Sequence, residues 1–255
     1  MAIGWHWKAY SLKNNIMIKK TLLFLLLSTL WANVNAQTNP TNKLDEQSVV
    51  RAEDGNVYPY SVWRKLLSTG KYAIKNRQTF TDSGKPEYLL YELSEAQQQA
   101  YFARRPKPKA SDCFTEGEAF SGFKATDING NKCDLRKADG KVVVLNFWFI
   151  KCPPCKQEIP QLNELVAAYK GNENVVFLAV ALDEKYDLKE FIKTNPFDYH
   201  IIDNGRSITT KYNLKYYPTH VIIDGTGKIH FSASGLASNT MYWLKKSIDE
   251  TLALK

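Results

Sequence analysis

The stretch VVVLNFWFIKCPPCKQEIPQLNELV, residues 142–166, decides how this chain is read. Its first third is an apolar run, interrupted by Asn146 alone and rich in β-branched and aromatic side chains, the pattern of a strand buried on both faces. Its last two thirds carry a helical pattern over residues 153–169, with Pro160 inside it as the expected site of a kink. At their junction stand Cys152 and, one turn into the helical pattern, Cys155. They are a metal clip, a structural disulfide or a redox pair, and the rest of the chain has to choose.

A metal clip needs four ligands, usually two closely spaced pairs. The chain has four cysteines and four histidines but no second pair at that spacing. His200, His220 and His230 fall on separate expected strands, where a histidine is usually a satisfied or exposed residue. A disulfide kept only for stability rarely uses this spacing, because so tight a ring is labile. A redox pair uses every feature. Cys152 stands at the end of a strand and the start of a helix, where free N–H groups and the helix dipole favour its thiolate. Pro153 and Pro154 suit a first turn that needs no N–H from them. Cys152 is thus the attacking sulfur, and Cys155, expected to be the more buried, resolves the mixed disulfide.

Working outward, the pattern past Ser111 is regular. FKATDI and NKCDL flank Asn129-Gly130, a strong hairpin signal. NVVFLAVALD is a second buried strand, DLKEFIKT a helix, DYHIID a short strand and GRSITTKYN a helix. THVIID and KIHFSAS form an antiparallel pair around GTG. The last helix places Met241, Leu244, Ile248 and Leu252 on one face. Alternating βα units predict an α/β fold with a parallel core sheet and antiparallel hairpin strands at its edges.

Upstream, RRPKPKAS (residues 104–111) reads as an extended basic linker. Residues 37–110 as a whole read as an accessory region with its linker. A helix is expected over residues 61–68, ended by Gly70, and a strand then a second helix opening at Ser94 and Glu95. Residues 1–36 read as a secretory signal peptide: Lys19 and Lys20, an apolar core over residues 22–30, and Val34 and Ala36 at the cleavage positions. Met17 is the better translation start. The apolar core is short of the ~20 residues a span needs. The formal charge of +8 shrinks accordingly: taking the four lysines of residues 1–36 from 34 basic residues leaves 30 against 26 acidic, a net of +4. Nucleic acid is not an expected partner, and the mature chain is expected to be soluble.

The stretch resembles the active-site segment of thioredoxin-fold thiol:disulfide oxidoreductases, and more narrowly the exported TlpA/ResA-like group. The resemblance rests on Asn146-Phe147-Trp148, the CPPC motif, Glu158 and Pro160, and on YYPTHVIID downstream. It covers about residues 112–255 and implies a thioredoxin-like domain over 111–255, with an N-terminal β-hairpin extension and the accessory region before it. It also implies reduction of disulfides in other exported proteins, apocytochrome c among them, with no cofactor, in the periplasm or another extracytoplasmic space, fed by a membrane electron donor protein. By resemblance Glu158 handles the proton; read alone, it is equally a solvated helix-face charge. Pro218 is implied to be cis and to face the cysteines. Substrate contact is implied for Tyr217, Pro218, Thr219, Trp148 and Lys151.

The chain departs from its relatives in two places. Asn146 replaces the buried Asp of thioredoxins proper, and Lys151 replaces a Trp. Phe149 stands where peroxiredoxins carry Thr or Ser, which disfavours peroxide chemistry. A thiol oxidase or isomerase, and a metallochaperone holding Cu(I) on the same pair, are the alternatives. Cys113 and Cys133 are a candidate structural disulfide, closing a loop of about 20 residues worth ~3 kcal/mol in the chain-entropy model; two free thiols are the other outcome.

Overall fold

A computed structural model describes residues 44–137 and 139–254. The expected signal peptide therefore lies outside the described residues. The central sheet has the order β11-β10-β7-β8-β9, built from β7 (Val142–Trp148), β8 (Val175–Ala181), β9 (His200–Ile202), β10 (Thr219–Ile223) and β11 (Ile229–Ser234). β7, β8 and β9 run parallel; β10 is antiparallel to β7, and β11 to β10. Every residue of β10 is buried, as are all but Val143 in β7. That burial explains why these strands are mostly apolar and do not alternate, with Asn146, Thr219 and His220 as buried polar exceptions.

Helices cover both faces. α3 (Pro153–Ala168) and α6 (Thr240–Ala253) pack on one, with Ile159, Leu162, Leu165, Leu244 and Ile248 in a core shared with Val144, Trp148, Ala179 and Ile222. The other face carries α5 (Arg206–Lys211) and an aromatic cluster in which Phe114, Phe147 and Tyr212 meet at 5.0–6.1 Å. α4 (Lys185–Thr194) joins β8 to β9 and buries Leu188. Among the described residues no helix is long and apolar enough to cross a membrane.

The Asn129-Gly130 hairpin forms, but not as an edge of the central sheet. β5 (Lys124–Thr126) and β6 (Lys132–Asp134) make a separate two-stranded ribbon. Gly130 sits at φ +94°, a conformation an L side chain resists. The ribbon is pinned to β9 through Ile128 N–H to Ile201 O (2.8 Å) and Asp127 to His200 Nδ1 (3.1 Å).

The accessory region holds more sheet than its sequence advertises. Its strands are β1 (Val49–Ala52), β2 (Val57–Tyr58), β3 (Tyr72–Phe80) and β4 (Pro86–Glu92), in the order β2-β1-β4-β3. The longest of these, β3, was not anticipated: its burial does not alternate cleanly and its second half is exposed. The expected helices are present as α1 (Tyr60–Ser68) and α2 (Glu95–Ala103). Ser94 and Gln97 form a reciprocal capping box at the start of α2. Gly70 is doubly required, by φ +70° and because a Cβ there would stand 2.2 Å from the Phe102 ring. The small core is Val50, Trp63, Tyr88 and Leu90.

The linker is docked rather than free. Pro108 is buried, Asn239 Nδ2 donates to Pro106 O (3.0 Å), and Ser234 N–H donates to Lys109 O (2.9 Å).

Candidate active site

Cys152 is the N-cap of α3, and a disulfide joins it to Cys155 with Cα atoms 5.3 Å apart. The Cys155 N–H points at Cys152 Sγ, 3.3 Å away, which is one of the orphan donors of the helix end aimed at the sulfur. Pro153 and Pro154 fill the first two helical positions, where their missing N–H costs nothing. The expected asymmetry in burial is absent: Cys152 is 2% exposed and Cys155 1%. In this oxidised form, the attacking sulfur is covered as fully as the resolving one.

The loop before the disulfide is held by its parallel neighbour. Ile150 N–H donates to Asp183 Oδ2 (2.7 Å), and Leu182 N–H donates to Trp148 O (3.2 Å). Asp183 was missed in the sequence. Its signal is positional: it follows β8, and the ends of adjacent parallel strands lie side by side.

The Tyr217–Pro218 bond is cis. Thr219 pairs with Phe147 across β10 and β7, so Pro218 lies beside the end of β7 from which the cysteine loop departs. The Tyr217 ring packs edge-on against Phe149, with centroids 5.3 Å apart. Pairing starts at Thr219, which leaves the Tyr217 backbone outside the ladder.

Two expected substrate contacts are corrected. Trp148 is 1% exposed and packed between Phe191 and Phe197, so its indole belongs to the core. Thr219 is fully buried, its hydroxyl held by Tyr216 O and Ser234 Oγ. Lys151 is exposed beside Cys152. Cys113 and Cys133 are not bridged: Cys113 Sγ donates to Asn213 O (3.3 Å) and Cys133 Sγ to Ala125 O (3.6 Å). Each thiol is satisfied by its own carbonyl, and burial pushes the Cys133 thiol up from its ordinary pKa.

Glu158 is not a solvated helix charge. It is 1% exposed, one turn beyond Cys155 and facing the sheet. Its carboxylate lies 3.1 Å from His220 Nε2 and 3.4 Å from Asn146 Nδ2. His220 is buried completely and was passed over in the sequence as one of several scattered histidines. The signal was a histidine interrupting the apolar strand THVII. The Tyr199 hydroxyl is buried with no partner among the described residues, and burial together with the Glu158 charge raises its pKa well above the ordinary value. Among the described residues no three His, Cys, Asp or Glu side chains converge to hold a metal ion.

Comparison with known proteins agrees with this geometry. The AhpC/TSA family profile matches residues 117–232. The thiol-disulfide oxidoreductase ResA of Bacillus cereus (strain ATCC 10987 / NRS 248) is 35% identical over 149 residues, 58% of this chain and 78% of ResA. A Chlorobium tepidum structure described as a thiol:disulfide interchange protein DsbE superposes with a TM-score of 0.50 at 27% identity, over 55% of this chain and 99% of that one. A Bacteroides thetaiotaomicron solution structure described as a protein disulfide isomerase gives 0.52 at 25% identity, over 58% and 95%.

Proposed function

This chain belongs to the family of the thiol-disulfide oxidoreductase ResA, and from that membership we propose that it is an exported reductase of protein disulfides working through Cys152 and Cys155. It is a thiol-disulfide oxidoreductase with a thioredoxin-like fold. The observation that carries the proposal is the Cys152–Cys155 disulfide at the start of α3, with the Cys155 N–H aimed at Cys152 Sγ. In the reduced protein the same N–H and the helix end stabilise a Cys152 thiolate.

The thiolate attacks one sulfur of a target disulfide, that bond breaks, and one target thiolate leaves. Cys155 then gives up its proton, with Glu158 as acceptor, and attacks Cys152 Sγ. The second target thiolate is released and the Cys152–Cys155 disulfide remains. Two electrons pass to the target. An extended segment of the target lies along the Tyr217 backbone by strand-like hydrogen bonds, flanked by Pro218 and Lys151.

Residues 1–36 serve as the export signal and residues 37–110 as an accessory body with its linker, ahead of the catalytic domain of residues 111–255. The site of action is the periplasm or another extracytoplasmic space. A membrane protein returns electrons to the pair, and the targets are exported proteins with closely spaced cysteines, such as apocytochrome c.

The deciding experiment is the equilibrium reduction potential of Cys152–Cys155, with Cys113 and Cys133 replaced by Ala. A value near about −270 mV, where thioredoxin sits, is expected of a reductase. A value near about −120 mV, where strong oxidants sit, reverses the direction. The likeness to a structure described as a disulfide isomerase favours that second reading, thiol oxidation or isomerisation. Potentials near about −180 mV would support it.

A further inference from the structure

One row of residues runs across the central sheet beneath α3. Ala233 of β11 pairs with His220 of β10, His220 with Asn146 of β7, and Asn146 with Ala179 of β8. Two alanines flank the polar pair, which leaves room above it for Glu158. Neither the Glu158 nor the His220 side chain has any exposure, and His220 Nε2 stands 3.1 Å from Glu158. A carboxylate taken out of water needs partners or it neutralises. Among the described residues no Lys or Arg pairs with Glu158; its partners are His220 and Asn146.

Resting on the Cys152–Cys155 reading above, we propose that His220 is a positioning residue for proton transfer at Cys155: its Nε2–H holds Glu158 as the carboxylate that accepts the Cys155 proton during resolution. A carboxylate accepts, so Nε2 carries the hydrogen and Nδ1 is bare. Among the described residues Nδ1 has no partner. A buried polar atom left unsatisfied calls for a reason, and orienting Nε2–H toward Glu158 supplies one.

The groups facing this pair are few. β7 supplies Asn146, Tyr199 before β9 lies close enough to feel the Glu158 charge, and Cys155 stands one turn before Glu158 on α3. α6, packed on the same face, supplies Leu244 and Ile248. Burial and the Glu158 charge keep Tyr199 a neutral phenol. The side chains placed to take the Cys155 proton are therefore Glu158 and His220. In resolution the Cys155 S–H proton moves to Glu158. The resulting thiolate forms the bond to Cys152 Sγ while the mixed disulfide breaks. The departing target thiolate leaves with the electron pair of the broken bond. Glu158 then gives that proton to water, which restores the carboxylate.

The test uses the full chain with Cys113 and Cys133 replaced by Ala, reduced and mixed with 5,5′-dithiobis(2-nitrobenzoate) in stopped flow. The first release of thionitrobenzoate reports attack by Cys152, and the second reports resolution by Cys155. His220→Ala is expected to raise the pH midpoint of the second phase by about one unit, a tenfold change in the proton equilibrium, and to leave the first midpoint in place. His220→Gln, which keeps an N–H donor, is expected to recover most of that shift. In a Glu158→Gln background His220→Ala is expected to add nothing.

Equal shifts in both phases, no shift, or a shift that survives Glu158→Gln would each overturn the proposal. Failure of the underlying redox reading looks different: the unsubstituted pair would then show no second phase. Should His220→Ala not fold, imidazole ¹⁵N spectra of the unsubstituted protein still decide. A hydrogen on Nε2, with a signal that moves in Glu158→Gln, supports the assignment, and a hydrogen on Nδ1 with bare Nε2 ends it.

Discussion

The two larger sheets of this molecule share a mixed strand pattern but differ in how they are covered. The central sheet is sandwiched, with separate cores on its two faces. The accessory sheet has a single core of four buried side chains, and the second half of β3 lies open to solvent. A buried carboxylate and imidazole can be held only where helix and sheet together exclude water, which the sandwiched sheet provides. The accessory region adds surface beside the catalytic domain: its contacts with α3 and α6 include an exposed ion pair, Lys71 with Glu164, and the Phe102–Tyr242 ring contact at 6.2 Å.

If chemistry resides wholly in the sandwiched domain, the largest effect must come from its cysteines. Cys152→Ser is expected to abolish disulfide exchange in an insulin-reduction assay, whereas Cys155→Ser is expected to accumulate mixed disulfides with target proteins. Residual exchange in Cys152→Ser would mean that another thiol, Cys113 or Cys133, carries electrons.

Next come two core truncations of similar chemistry. Phe147→Ala in β7 and Trp63→Ala in α1 each remove a buried ring, a change that costs about 3–5 kcal/mol. The contrast predicts different consequences. Phe147→Ala should lower the denaturation midpoint of the whole catalytic domain and its activity with it. Trp63→Ala should unfold the accessory sheet while exchange survives. Loss of exchange in Trp63→Ala, in step with local unfolding, would show that the two bodies fold as one.

A smaller effect concerns acid. Asp127 is buried at the turn of the β5–β6 ribbon; burial pushes its pKa up, but hydrogen bonds from Asn131, His200 and Asn129 outweigh it and hold the pKa below the ordinary value. A carboxylate whose folded pKa is depressed stabilises the fold above its unfolded pKa of about 3.9, and that stability is lost as pH falls through the folded value. Asp127→Asn places an amide against the Asn131 amide that now donates at 2.8 Å. It is expected to cost about 2 kcal/mol at neutral pH and to flatten the decline in stability below about pH 4. Denaturant titrations from pH 2 to 7 check both, and an unchanged acid limb would refute the assignment.

What was legible in the sequence follows the same division. β7, β8 and β10 announce themselves because strands buried on both faces are mostly apolar, and the cysteine pair is placed by the strand–helix junction. Gly70 and Ser94 mark helix ends because φ and capping are local requirements. β3 was illegible because an exposed strand writes no apolar run. Trp148 was misassigned because its neighbour Phe149 faces the site while Trp148 turns inward, a parity the motif does not state. His220 and Glu158 are 62 residues apart, and they meet through the register of β10 on β7 and the packing of α3 over that sheet. The separation of Cys113 from Cys133 is likewise tertiary: spacing permits a bridge, and the carbonyls of Asn213 and Ala125 take the thiols instead.

The smallest expected effect bears on how the accessory sheet is attached. Lys71 and Glu164 approach to 3.2 Å, but both side chains are well exposed, and such pairs contribute roughly 0–1 kcal/mol. Lys71→Ala should therefore leave the denaturation curve within about 0.5 kcal/mol of the parent. Attachment then falls to the linker and to Phe102. Removing residues up to 110 deletes the Lys109 carbonyl that Ser234 N–H uses and the buried Pro108 ring, so a chain beginning at Ser111 should lose stability at the β11 edge. A chain beginning at Pro106 keeps these contacts and should retain both stability and exchange. If instead Lys71→Ala destabilises as much as the Ser111 truncation, charge rather than the docked linker joins the two sheets, and the contrast between a supported and an appended body loses its basis.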